Sequence, residues 1–253
     1  MRLFLWVLPW CVATCVIAEA GKQVFSGPVV PDDPAGAGKE LAARLLSLRP
    51  AEGVTNTVAL TNLVKNKFQF AVPLRIEVSV SESNWTTSYV QVGAAGNAEK
   101  CFVVVRHLNG PSDYYVETVT NGVTARAVFQ GQDAAVPVAG SDFTLSDVGM
   151  EFLRWPAQRL LVKEVFHSQS CDKLESVAPE GWTNGYVRVV SWFDIDTGAP
   201  VLIEAYDTKG KVVKEFKPSE VRKVDGQWRV EELEMNNWRT GSRSTLRFLY
   251  DKR

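Results

Sequence analysis

The residues with the types and spacing to do covalent chemistry are few. The segment Phe193-Asp194-Ile195-Asp196-Thr197-Gly198-Ala199 places an Asp-Thr-Gly triplet after apolar residues. Such a turn serves hydrolysis when a second carboxylate shares the aspartate's proton. The chain holds one such triplet, and Asp-Thr-Gly is also ordinary hairpin chemistry, which is the reading adopted. The two histidines, His107 and His167, flank no Gly-x-Ser-x-Gly elbow and have no metal-ligand spacing, so both read as surface or strand-end residues. Gly36-Ala37-Gly38-Lys39 falls short of a phosphate loop, because position 33 is aspartate and Glu40 stands where a magnesium-binding hydroxyl belongs. The expectation is a protein without catalytic residues, metal or cofactor. Asn84-Trp85-Thr86 fits the glycosylation acceptor pattern and predicts an exposed site.

The cysteines depend on the compartment, which the first twenty residues address. Arg2, an apolar stretch from Leu3 to Ile17 and Ala18-Glu19-Ala20 read as a secretory signal at 1–20, cleaved before Gly21. A span is disfavoured, since the stretch is shorter than the roughly 20 residues a bilayer requires and contains Pro9. Lipidation at Cys15 is disfavoured by Thr14. The expected location is the periplasm. Cys101 and Cys171 survive cleavage, and two readings stand level: a disulfide contributing roughly 4 kcal/mol, or two separate buried thiols. With 28 basic and 29 acidic residues and no basic run, nucleic acid is a poor partner.

The elements that would position a site come next. Residues 21–37 hold prolines and glycines without periodicity and read as an extended linker, followed by one folded domain over 38–253. Leu41, Leu45 and Leu48 recur at helical spacing before Pro50, predicting a helix over 39–48. A second helix is predicted after Thr144, with Asp147 completing its cap, Leu145, Val148, Gly149 and Phe152 on one face, and Pro156 ending it. Between them the period is two. Phe68, Phe70, Val72, Leu74, Ile76, Val78 and Val80 alternate with more polar residues in a strand so long that it must curve or bulge, and Pro73 marks the expected place. Further strands are predicted at 85–92, 101–107, 113–119, 158–166, 169–177, 185–195, 200–207, 211–217, 227–235 and 243–250, with turns such as Thr208-Lys209-Gly210 and Asp225-Gly226.

About eleven strands and two short helices describe a mainly β chain, a large curved antiparallel sheet with helices on one face. The helices are too few to cover its apolar faces, so the sheet closes, stacks or encloses a cavity. The expected cavity lining is Phe68, Phe70, Val72, Leu74, Ile76, Val78, Phe152, Val189 and Phe193, and its guest is apolar.

The segments Ser141-Asp142-Phe143, Trp192-Phe193-Asp194-Ile195-Asp196-Thr197-Gly198, Glu204-Ala205-Tyr206-Asp207-Thr208-Lys209-Gly210-Lys211 and Met235-Asn236-Asn237-Trp238-Arg239-Thr240-Gly241-Ser242 resemble, in order and spacing, the LolA-like outer-membrane lipoprotein-sorting proteins. The resemblance covers roughly 141–250. It implies an unclosed antiparallel barrel with helices across its mouth, and a periplasmic carrier that shields lipoprotein acyl chains or another lipid. It also implies membrane-associated donor and acceptor proteins as partners. The alternatives are a carrier of a different apolar ligand and a non-catalytic envelope scaffold with a packed interior.

Overall fold

The computed structural model describes residues 27–93, 98–183, 185–224 and 227–250. The signal at 1–20, Cys15 and the Asp225-Gly226 turn lie outside them. Helix α1 (Pro34–Ser47) starts within the stretch read as linker. Asp33 caps it, its Oδ1 accepting from Gly36 N at 2.9 Å, and Pro34 supplies a helix-ready φ where no N–H is needed. Leu48 turns extended and ends the helix two residues before Pro50. Upstream, Val29 exchanges two 2.8 Å backbone hydrogen bonds with Lys163.

Six strands follow: β1 (Val54–Val64), β2 (Lys67–Val80), β3 (Asn84–Val92), β4 (Ala98–His107), β5 (Asp113–Thr120) and β6 (Val123–Phe129). After a connection over 130–156 come β7 (Ala157–Phe166), β8 (Gln169–Val177), β9 (Arg188–Asp194), β10 (Pro200–Tyr206), β11 (Val212–Val224), β12 (Gln227–Asn237) and β13 (Ser242–Phe248). All pair antiparallel in one sheet, ordered β6-β5-β4-β3-β2-β1-β13-β12-β11-β10-β9-β8-β7. Each strand pairs with its sequence neighbour except at β1–β13, which joins the two meanders, and at β6 and β7, which are the edges. The barrel is therefore unclosed, and the 130–156 segment must run from one edge to the other.

Thirteen strands replace the expected eleven. β1 escaped the periodicity because Asn56 and Asn62 interrupt its inward row, and β6 is an exposed edge strand with alanines where an apolar face would be. The expected bulge at Pro73 lies elsewhere: Pro73 pairs regularly with Ala59, while Asn62 opposes Phe70 and Leu63 opposes Phe68. Gln69 is the extra residue. One inserted residue reverses the faces beyond it, so Phe68 leaves the concave row and is 65% exposed.

Concave-facing side chains form one core with α1 and the crossing segment. Leu41, Ala42 and Leu45 of α1 are buried, and Gly38 lies against β7 so closely that a Cβ there would stand 2.5 Å from Arg159 N. Close helix-to-strand contact is the reason for that glycine. The expected second helix is a single turn, α2 (Leu145–Val148), with a complete Thr144–Asp147 capping box. Met150 then takes left-handed φ 50°, and a 3-10 turn, Glu151–Arg154, leads to Trp155 before Pro156.

Candidate functional site: a cleft beneath the crossing segment

Between the concave face of the second meander and the crossing segment lies a small open cleft, ≈ 510 Å³ when the solvent at its mouth is included and ≈ 30 Å³ of interior room. Phe143, Val148, Met150 and Phe152 of the segment form one wall. Inward residues of β9 to β13, among them Val189, Ile203, Phe216 and Leu233, form the other. Asp147, Tyr186 and Lys214 are the polar groups in its lining. An apolar wall with few convergent polar groups is the usual composition of small-molecule sites. Trp155 stands edge-on to Trp182, their ring centroids 5.3 Å apart, and 5.9 Å from Tyr186, so the loop after β8 packs on the same segment.

Two polar clusters fix the segment to the sheet. Asp142 is buried, and its carboxylate accepts from Asn62 Nδ2 at 3.1 Å, Ser244 Oγ at 2.8 Å, Ser242 Oγ at 2.6 Å and Asn237 Nδ2 at 3.0 Å. Its carbonyl accepts from Lys214 Nζ at 2.9 Å. Lys214 also pairs with Asp147 at 2.6 Å, and Tyr186 donates to Asp147 Oδ1 at 2.7 Å. Burial by itself would raise the Asp147 carboxyl, but the Lys214 ammonium, with hydrogen bonds from Thr144 and Tyr186, outweighs it and holds the group below the usual carboxylate range. Burial, with the Asp147 charge beside it, pushes the Tyr186 phenol well up.

On the first meander Arg106 is 2% exposed, and its Nη2 donates to the Val148 carbonyl of α2 at 3.0 Å. Burial lowers its guanidinium to about 10, against the opposing pull of Tyr114, Tyr89 and Glu151. Tyr114 donates to Glu151 at 2.6 Å, and burial raises the Glu151 carboxyl. The segment is thus held from both halves of the sheet. Outside hairpin turns, Ala139 (φ 48°) and Met150 (φ 50°) are the non-glycine residues with left-handed backbone among the described residues, and both lie in this segment.

Of the residues expected to line a cavity, Phe152 and Val189 border this cleft. Leu74, Ile76 and Phe193 are buried in the packed core, Val72 packs at its margin, Val78 is buried at 7% exposure, and Phe70 is half-buried beside Gly140. Phe68 faces solvent. The Asp142 cluster was not foreseen. Its signal lay in the segments 141–143 and 235–242, read as turns and strand edges, which the fold brings into direct hydrogen bonding.

Cys101 and Cys171 stand as separate thiols, Cys171 buried and Cys101 half-buried. They stand on β4 and β8, well apart in the strand order, with Cys101 beside Ser88 and Cys171 packed with Val190 and Trp192 in a small outer cluster. Burial raises both, Cys171 to about 12. Asp194 Oδ1 accepts from Thr197 N at 2.8 Å and Thr197 Oγ1 at 2.7 Å, closing the hairpin between β9 and β10, and Gly198 has φ 71°. Asn84-Trp85-Thr86 is not the exposed site expected: it opens β3, and Trp85 is fully buried.

The sequence model of a family described as "-like: Uncharacterized protein" matches residues 126–250. No curated protein matches in sequence. A DUF1329 family protein from Desulfovibrio piger is similar in structure, with TM-score 0.67 and 21% identity over 86% of this chain and 92% of that one. A putative outer membrane lipoprotein-sorting protein domain from Vibrio parahaemolyticus gives 0.67 and 19% over 85% and 91%. A LolA superfamily protein from Nitrosomonas europaea gives 0.53 and 16% over 87% and 95%. These likenesses, together with the unclosed antiparallel sheet and its crossing segment, give this chain the LolA-like fold.

Proposed function

We propose that this protein is a non-catalytic periplasmic carrier that shields lipoprotein acyl chains, or a lipid of similar chemistry, in the cleft beneath the crossing segment. The observation that carries this reading is the cleft itself, which has apolar walls and opens between the concave face of the sheet and the crossing segment. Each methylene moved from water into such a wall contributes roughly 0.8 kcal/mol, so part of an acyl chain binds without a specific polar contact. A longer chain needs more room, which the segment provides by pivoting at Ala139 and Met150 while the sheet stays fixed.

The test pairs native mass spectrometry of the protein purified from its host with displacement of an apolar dye by fatty acid. Lipid should co-purify, and Val189→Trp or Ile203→Trp, which fill the cleft, should weaken dye binding tenfold or more by occupying the guest's space. A wild-type protein that binds neither dye nor lipid would leave the envelope scaffold as the better reading.

A further inference from the structure

Three hairpins meet at one end of the sheet. In strand order β2-β1, β13-β12 and β11-β10 are consecutive, so their tips at 65–68, 238–241 and 207–211 tile one rim. Backbone contacts join them: Lys65 N donates to Gly241 O at 2.9 Å, and Trp238 N donates to Val213 O at 2.9 Å. These tips carry Lys65, Lys67, Lys209, Lys211 and Arg239 against one carboxylate, Asp207, which is occupied with the amides of Lys209 and Lys211. None of the five cations stands in a salt bridge among the described residues, whereas strand cations such as Lys217 and Arg247 do. At the opposite end the 81–83 tip carries Glu82 and receives Arg49, which donates to the carbonyls of Ser81 and Glu82. Five cations against one carboxylate make the first rim locally basic in a chain of net charge −1.

The same rim presents two large aromatic side chains to solvent, Phe68 at 65% and Trp238 at 53% exposure. Phe68 is there because of the Gln69 bulge. The rim also adjoins the cleft. Trp238 bonds beside Lys214, and Arg239 Nη2 donates at 2.6 Å to the carbonyl of Gly185, which precedes Tyr186; Lys214 and Tyr186 both line the cleft.

We propose that this rim docks on a membrane surface rich in anionic phospholipid, with Phe68 and Trp238 at the headgroup level and the lysines over the phosphates. Aromatic rings favour that interface, and each basic residue near an anionic surface adds attraction that salt screens. Docking there brings the cleft mouth to the source of acyl chains, so the proposal rests on the carrier reading and names the surface it works on.

The test is flotation of the protein with phosphatidylcholine vesicles, with and without phosphatidylglycerol. Binding should require phosphatidylglycerol and reverse with added salt. Each lysine lost should lower the partition coefficient about fivefold, so Lys67→Gln, Lys209→Gln and Lys211→Gln combined should lower it roughly a hundredfold. Phe68→Ser with Trp238→Ser should weaken binding while leaving its salt dependence in place. Dye binding by the lysine variant, measured without vesicles, should equal wild type, which shows the cleft and fold intact. Equal flotation with both vesicle types, or a lysine variant that binds as wild type does, overturns the proposal. Loss of dye binding in the wild type with lysine-dependent flotation retained would remove the carrier reading alone.

Discussion

Replacing Asp142 with alanine removes the acceptor on which donors from β1, β12 and β13 converge. A hydrogen bond to an ionised group contributes about 1.5–3 kcal/mol to stability. The four here do not add, because they share one acceptor and because Asn62 Nδ2 keeps a second partner in Ser244 Oγ at 2.9 Å. The Ser244 hydroxyl, 0% exposed, loses its acceptor and meets little water, whereas Ser242 Oγ keeps Thr240 Oγ1 as a partner, so part of the desolvation cost remains. The expected loss is about 2–4 kcal/mol, the cost of leaving buried neutral donors without their acceptor. Against a total stability of about 5–15 kcal/mol for a typical domain, that moves a urea midpoint far at constant slope. Asp142→Asn keeps the volume and one acceptor oxygen, and its loss should be about 2 kcal/mol. Hydrogen exchange should locate the effect: amides of 143–153 should lose protection before those of β12, because the cluster ties the segment to the sheet. A segment released in this way should also bind an apolar dye more tightly, since less of the protein occupies the closed state. An Asp142→Ala variant within about 1 kcal/mol of wild type, with protection of 143–153 unchanged, would refute the assignment of this cluster as the clasp.

The Asp147 carboxyl lies below its unfolded value of about 3.9, so its contribution is present above that value and is lost as pH falls through the lower folded value. Acid unfolding should therefore weaken the segment, and Asp147→Asn should flatten that limb of the stability profile; Glu151, raised by burial, works in the opposite sense, so the comparison isolates Asp147. Gly38→Ala, favoured by helix propensity, should instead destabilise by about 1–3 kcal/mol in thermal or urea unfolding, because its Cβ would meet the Arg159 backbone at 2.5 Å. Leu74→Ala should cost about 2–5 kcal/mol as a core cavity, while Phe68→Ala should change unfolding by less than about 0.5 kcal/mol. Cys171 should resist alkylation in the native protein at neutral pH, since burial keeps its thiol protonated up to about 12.

The strands legible in the sequence are those whose apolar alternation is unbroken and whose turns carry Gly or Asp, as at Asp194 to Gly198 and Asp207 to Lys211. β1 was hidden by Asn62, an inward polar residue that makes sense only once Asp142 arrives from eighty residues away. Periodicity cannot register a contact of that kind, because it reports what one strand buries and says nothing about what covers it. The same limit explains the cavity residues. The even row of β2 was read as a pocket wall since its apolar face looked too large for two helices, yet Leu74 and Ile76 lie in a packed core.

Topology supplies what pattern could not. When all consecutive strands pair except β6 and β7, and β1 joins β13, the last strand of the first meander and the first of the second end up at opposite edges. The chain between them has to cross the curved sheet. In this protein that chain carries Phe143, Leu145, Val148, Met150 and Phe152, so the concave face gains cover from a segment whose helical spacing announces one helix but which folds as a single α-turn and a 3-10 turn. The size of the cleft then depends on where the segment sits, and its position is set by Asp142, Asp147, Lys214 and Arg106. Apolar residues supply the wall and a few buried charges set how far it stands open, which is why the charged residues of the segment, more than the apolar row of any strand, are the place to perturb binding.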